Sequence, residues 1–200
     1  MTGVQTCALP IFVTWFVEQA KANNCDTGFF LGDWHHNRSS LNITTLNYSI
    51  KALEVLDSYF KNFYFIPGNH DLYYRDRRDI ASVAFADKFT NINLVSDHYS
   101  KDGVTLLPWM VNDEWKHVKK IKDPYVFGHL ELPHFMMNAM VAMPDHNELH
   151  EDHFQHQKRV VSGHFHKRQQ RGNITYMGNC FPHNYADIND IDRSEEHTSE

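Results

Sequence analysis

The sequence predicts an α/β sandwich built around a mixed sheet, and three observations predict it. Helix-periodic segments alternate with short apolar runs in the first half of the chain, and short apolar runs dominate the second half. Four of those runs end at or beside a glycine and are followed at once by Asp, Asn or His. Helices alternating with buried strands pack as layers on a sheet. Apolar runs of four or five residues bounded by turn residues are strand-sized.

Phe12, Trp15, Phe16 and Ala20 repeat at helical spacing, which predicts a helix over 12–22. Thr27–Leu31 reads as a buried strand that stops at Gly32-Asp33. Leu46, Ile50, Leu53, Leu56 and Phe60 are spaced 4, 3, 3 and 4 apart, an amphipathic helix. Phe63–Ile66 is a second strand, halted by Pro67-Gly68. Further strands are predicted at Val104–Leu107, Tyr125–Phe127, Val160–Val161 and Ile174–Met177.

The chain has 200 residues, 42% hydrophobic and 14% aromatic, enough for one ordinary core. That composition excludes disordered, collagenous and coiled-coil classes. No apolar run approaches the ~20 residues a membrane-spanning helix needs. Fifteen histidines exceed an average share, and His is the commonest metal ligand and acid/base side chain.

The two ends of the chain are antisense to each other. Arg193–Glu200 can be encoded by a string whose reverse complement encodes Gln5–Ile11. Natural termini have no reason for that relation, and the string resembles sequencing adapter. Residues 1–11 and 193–200 are therefore expected to be foreign, with 12–192 as one domain incomplete at both ends. The last eight residues carry one Arg and three Glu, so the formal −6 becomes −4 for the rest. Cys7 falls in the foreign stretch, and Cys25 and Cys180 are too few for a disulfide framework. A reducing, cytosolic setting is the default expectation.

The polar clusters follow the strands: Gly32-Asp33-Trp34-His35-His36-Asn37-Arg38, Gly68-Asn69-His70-Asp71, Gly128-His129 and Gly163-His164-Phe165-His166. In α/β folds ligands bind beyond the carboxyl ends of the strands. A carboxylate, a carboxamide oxygen and neutral imidazoles suit Zn, Mn or Fe, and the lack of thiolates argues against a structural zinc finger. One Gly-His alone is an ordinary turn. Four such clusters in the same context make a site.

In this order, GD-x-x-H-x-R, GNHD, GH and GHFH resemble motifs two to five of the calcineurin-like metallophosphoesterases. That resemblance implies a four-layered αββα sandwich, N-terminally truncated, holding two divalent metal ions, with Mn²⁺ expected first and Mg²⁺, Zn²⁺ or Fe²⁺ as alternatives. It implies that Asp33 bridges both ions, that Asn69, His129 and His164 complete the second site, and that His166 binds the first. It implies His70 as the acid beside the leaving group, oriented by Asp71, with Arg38 on the phosphoryl oxygens. The family's first motif, Asp-x-His, is not found, and its expected place is upstream of Phe12.

A finer resemblance runs to the SbcD-type DNA repair nucleases and the T-even phage recombination endonuclease subunit. It is carried by GDWHHNRSS, GNHDLYY, LPWM, GHLEL and SGHFHKRQQRGNITYMGNCF. It implies DNA as substrate, a homodimer, a coiled-coil SbcC-like ATPase partner and no membrane association. A small-molecule or phosphoprotein phosphoesterase is the alternative enzyme, and a metal- or DNA-binding fragment without turnover is the non-enzyme alternative.

A chain of net −4 must bind DNA through a local patch. Arg75, Arg77 and Arg78 follow GNHD, and Lys167, Arg168 and Arg171 follow GHFH; ordinary solvated loop charge weighs equally. Tyr73 and Tyr74 offer base stacking or packing. His146, His150, His153 and His156 would share one face of a helix, but the acids among them favour a solvated polar segment over a zinc site.

Overall fold

The computed structural model describes residues 3–137 and 141–180, with side chains from residue 9 onward. Residues 181–200, which include the expected foreign C-terminus, lie outside this range. The backbone contacts fall into two compact units, Met1–Ser96 and Asp97–Glu200.

The first unit contains helix α1 (Gly3–Ala22), strand β1 (Thr27–Phe30), helix α2 (Ile43–Tyr59), strand β2 (Asn62–Phe65) and strand β3 (Ile92–Leu94). Its sheet has the order β1-β2-β3 and is parallel throughout. Helix α1 begins inside the stretch expected to be foreign and runs through Pro10. It buries Val13, Val17 and Ala20, while Phe12 and Phe16 pack at the edge of the core. The aromatic spacing thus located the helix but not its innermost face. Helix α2 starts at Asn42, whose side chain accepts the Thr44 N–H at 2.7 Å. It buries Ser49, Ala52, Leu53 and Leu56. Leu46 and Ile50 are only half-buried. Gly28 pairs with Phe63, and a Cβ there would lie 2.6 Å from the Phe63 ring. Only glycine lets that ring lie across β1. Phe65 and Ile66 are fully buried, each contributing roughly 1.5–3 kcal/mol.

The second unit contains β4 (Tyr99–Lys101), β5 (Val104–Leu107), β6 (Tyr125–Gly128), β7 (Arg159–Ser162), β8 (Gln169–Arg171) and β9 (Ile174–Tyr176). Its sheet is mixed, in the order β4-β5-β6-β7-β9-β8. The four inner strands are parallel, and the two edge strands run antiparallel to their neighbours. Asp102 and Gly103, both at positive φ, turn β4 into β5, the Asp-Gly signature of a tight hairpin. Leu130, Leu132, Phe154, Val160, Ile174 and Tyr176 form the centre of its core. Among the described residues no helix is long and apolar enough to cross a membrane.

Candidate metallophosphoesterase site

Parallel pairing of β1 with β2 puts the carboxyl ends of both strands on one edge, so their two loops leave side by side. Asp71 is completely buried. Its Oδ2 accepts the N–H groups of Asp33 at 2.8 Å and Gly68 at 2.9 Å. Its Oδ1 accepts the His35 N–H at 3.0 Å. One carboxylate therefore shapes both loops through charge-assisted bonds. Asp33 returns the tie, its Oδ1 accepting the His70 N–H at 2.8 Å. Gly32 and Asp33 both sit at positive φ, 98° and 63°. For the non-glycine Asp33 this is a strained conformation of the kind that clusters at functional sites.

His70 Nδ1 lies 2.9 Å from the His36 carbonyl, and the two rings stack with centroids 5.2 Å apart. A carbonyl only accepts, so Nδ1 carries the proton and a neutral His70 keeps its lone pair on Nε2. The group at His70 Nδ1 is the His36 backbone, because the Asp71 carboxylate is turned to the backbone N–H groups of the loops. Asn69 and Arg38 are half-buried in these same loops.

His35 was not expected to matter, yet it is buried. Its ring lies between Ser82 Oγ at 3.0 Å and Ser49 Oγ at 2.9 Å. Burial lowers its pKa to about 4, so it is a neutral strut between α2 and the loop at Ser82.

In the second unit β6 and β7 pair with Gly128 opposite Ser162, so the residues that follow emerge together. Ser162 is buried, and its Oγ accepts the Leu130 N–H at 2.9 Å and lies within bonding distance of the Gly128 and Gly163 carbonyls. His129 is fully buried, and its Nε2 lies 3.2 Å from His164 Nδ1. Two nitrogens bound to one tetrahedral ion at 2.0–2.1 Å stand about 3.3 Å apart, so this pair fits a shared divalent ion. His164, like Asp33, holds a positive φ, 85°. The Trp109 ring packs on both imidazoles, at 5.2 Å from His164 and 6.0 Å from His129. Glu131, which the motifs did not single out, has its Oε2 3.0 Å from His164 Nε2.

His166 is half-buried, and its carbonyl accepts the Asn179 N–H at 2.9 Å. Gly178, at φ +74°, backs this loop, and a Cβ there would meet Arg168 N at 2.7 Å.

The expected DNA-contacting cations differ in how far they are committed. Arg77 lies over the Tyr74 ring at 3.7 Å and pairs with Asp79. Arg78 donates to the Ser96 carbonyl. Arg171 is used internally, paired with Glu151 and lying over Phe135. Arg75 and Arg168 are exposed, and Lys167 is half-buried.

The His146–His156 segment is neither a helix nor uniformly solvated. Only Glu151–Phe154 forms a 3₁₀ turn. His153 is buried against Trp115, and its Nδ1 accepts the His150 N–H. His150 Nε2 pairs with Asp145. Leu149 and Phe154 enter the core and pull the segment inward, which breaks the regular spacing of the histidines.

The sequence pattern of the calcineurin-like phosphoesterases matches residues 9–192, across both units. The chain is also similar to Exonuclease subunit 1 of Enterobacteria phage T4. The two are 27% identical over 183 residues, covering 87% of this chain and 53% of that protein. The chain thus spans about half the length of this curated relative. With the Gly-Asn-His-Asp and Gly-His loops at the carboxyl ends of parallel strands and the pattern matching 9–192, the chain belongs to the calcineurin-like phosphoesterase family, a family of metal-dependent hydrolases.

Proposed function

We propose that this chain is the nuclease subunit of a phage or bacterial DNA recombination and repair complex and hydrolyses DNA phosphodiesters. What supports this most is its similarity to a phage exonuclease subunit over 87% of its length. DNA is the substrate, and a second copy of the chain and a coiled-coil SbcC-like ATPase are the partners. The bacterial or phage-infected host cytoplasm is the setting, and 12–192 is the working domain.

Asp33, Asn69, His129 and His164 would hold one divalent ion, and Asp33 and His166 would contribute to a second. Their oxygen and imidazole donors suit Mn²⁺. When bound, such ions would lower the pKa of a coordinated water and stabilise charge on the phosphoryl oxygens. The chain's own groups do the rest. Asp71 keeps both loops of the first unit in shape. His70, held through Nδ1 by His36, presents Nε2, which in the protonated ring donates to the departing sugar oxygen. Arg38 balances charge on the phosphate. Arg75 and Arg168, with Arg77, Arg78 and Lys167, offer cations to the strand backbone.

The test is Mn²⁺-dependent release of nucleotides from linear duplex DNA, assayed beside nucleotide monoesters and a phosphopeptide. Hydrolysis of DNA alone is expected. Turnover of monoesters alone would replace this reading with a phosphomonoesterase, and retention of DNA without hydrolysis would replace it with a binding protein. His70→Asn is expected to keep metal binding and lose about 10²–10⁴-fold in turnover; an unchanged rate would remove His70 as the acid.

A further inference from the structure

His164 is held at both ring nitrogens. Its Nδ1 faces His129 Nε2 at 3.2 Å, and its Nε2 faces Glu131 Oε2 at 3.0 Å. A neutral imidazole has one N–H and one lone pair, and a carboxylate can only accept. The proton therefore belongs on Nε2, and the lone pair is left on Nδ1, on the side where His129 Nε2 converges.

We propose that Glu131 is a positioning residue, which fixes His164 in its Nε2–H tautomer and aims the Nδ1 lone pair at the metal ion. The proposal rests on the reading that His129 and His164 hold that ion. Two further features favour it. The His164 side chain is 12% exposed and that of Glu131 34%, so the pair is partly shielded from water, where a charge-assisted bond holds its geometry. Glu131 also lines a cavity of about 90 Å³ together with Trp109, Trp115 and His129, and the Trp109 ring packs on His164 at a 40° tilt with centroids 5.2 Å apart. The ring is thus braced by an indole on one side and by a carboxylate at Nε2. Outer carboxylates of this kind set the tautomer of a ligating histidine and raise its basicity.

The test uses the whole chain with Mn²⁺ titrations by calorimetry, Co²⁺ absorption spectra, and ¹H–¹⁵N spectra of the histidine rings without metal. The variants are Glu131→Gln, Glu131→Asp, His129→Ala and His164→Ala. A glutamine of the same shape can turn its amide N–H toward Nε2 and so favours the wrong tautomer. Glu131→Gln is expected to weaken Mn²⁺ binding about 10–100-fold, alter the Co²⁺ spectrum and shift the His164 ring nitrogens. Glu131→Asp, which keeps a carboxylate, is expected to recover part of the affinity, and both should melt as the parent does. The proposal is overturned if His164→Ala loses the ion while Glu131→Gln binds it as the parent does with the same ring tautomer, or if Asp and Gln weaken binding equally. If His129→Ala and His164→Ala also bind as the parent does, the metal reading itself fails, and Glu131 with it.

Discussion

In the first unit a buried anion, the Asp71 carboxylate, gathers three backbone N–H groups and thereby shapes the loops after β1 and β2. In the second unit the loops after β6 and β7 are shaped by a neutral hydroxyl, Ser162, working between backbone groups of both strands. The histidines differ accordingly. His35 in the first unit is a buried strut between two serines, whereas His129 and His164 in the second face each other with no oxygen between their nearest nitrogens. A fully buried carboxylate depends on its donors, so the first unit concentrates its loop stability in one residue. The second spreads it over a hydroxyl, ring packing and a strand register.

The largest test of that contrast is Asp71→Ala. Removing the carboxylate leaves three N–H groups without their acceptor, and a loss of about 3–5 kcal/mol is expected in urea unfolding. Ser162→Ala, in the second unit, should lose about 1–3 kcal/mol. Equal losses would break the comparison.

The next effect is in pH. His35 has its folded pKa lowered from 6.5 to about 4, so the unfolded chain takes up its proton first as pH falls. Its contribution is complete above pH 6.5 and is lost between 6.5 and 4, about 3 kcal/mol in all. His153 in the second unit, lowered chiefly by its own burial, acts in the same direction. His35→Gln should flatten most of the slope of stability against pH in that window and leave the remainder to His153. An unchanged slope would show that His35 is not the titrating strut.

Gly178→Ala places a Cβ against Arg168 N at a positive φ. It should lower the melting temperature by several degrees, an effect of about 1–2 kcal/mol. The smallest effect is at the first unit's rim. Lys61 and Asp26 pair at 2.8 Å but are largely exposed, so Lys61→Ala should leave the melting temperature unchanged. A measurable drop there would mean that rim charge, and not only Asp71, secures the first unit.

The motifs were legible because each is a short strand, a glycine turn and a candidate ligand within a few residues. Asp33, His70, His129 and His164 lie at strand ends as that pattern requires, and the late strands match their apolar runs within a residue or two. Other parts were not legible, for stated reasons. The motif singled out His36 and left His35 without a role, because its contacts to Ser49 and Ser82 join residues far apart in the chain. The resemblance gave Asp71 no partners beyond His70, whereas its carboxylate accepts from backbone donors 36–38 residues away. The His146–His156 spacing fitted a helix until Leu149 and Phe154 drew the segment into the core.

By itself the sequence determined the α/β class, the order of the loops that carry the candidate site residues and the family, because those depend on local periodicity and on which residues follow a strand. Tertiary structure decided which atoms meet. Only the parallel register of β6 and β7 brings His129 and His164 within 3.2 Å, and only the fold turns Glu131 toward a histidine 33 residues away. Hydrogen bonds between distant side chains depend on register and burial, and these are properties of the packed chain that no stretch of residues encodes alone.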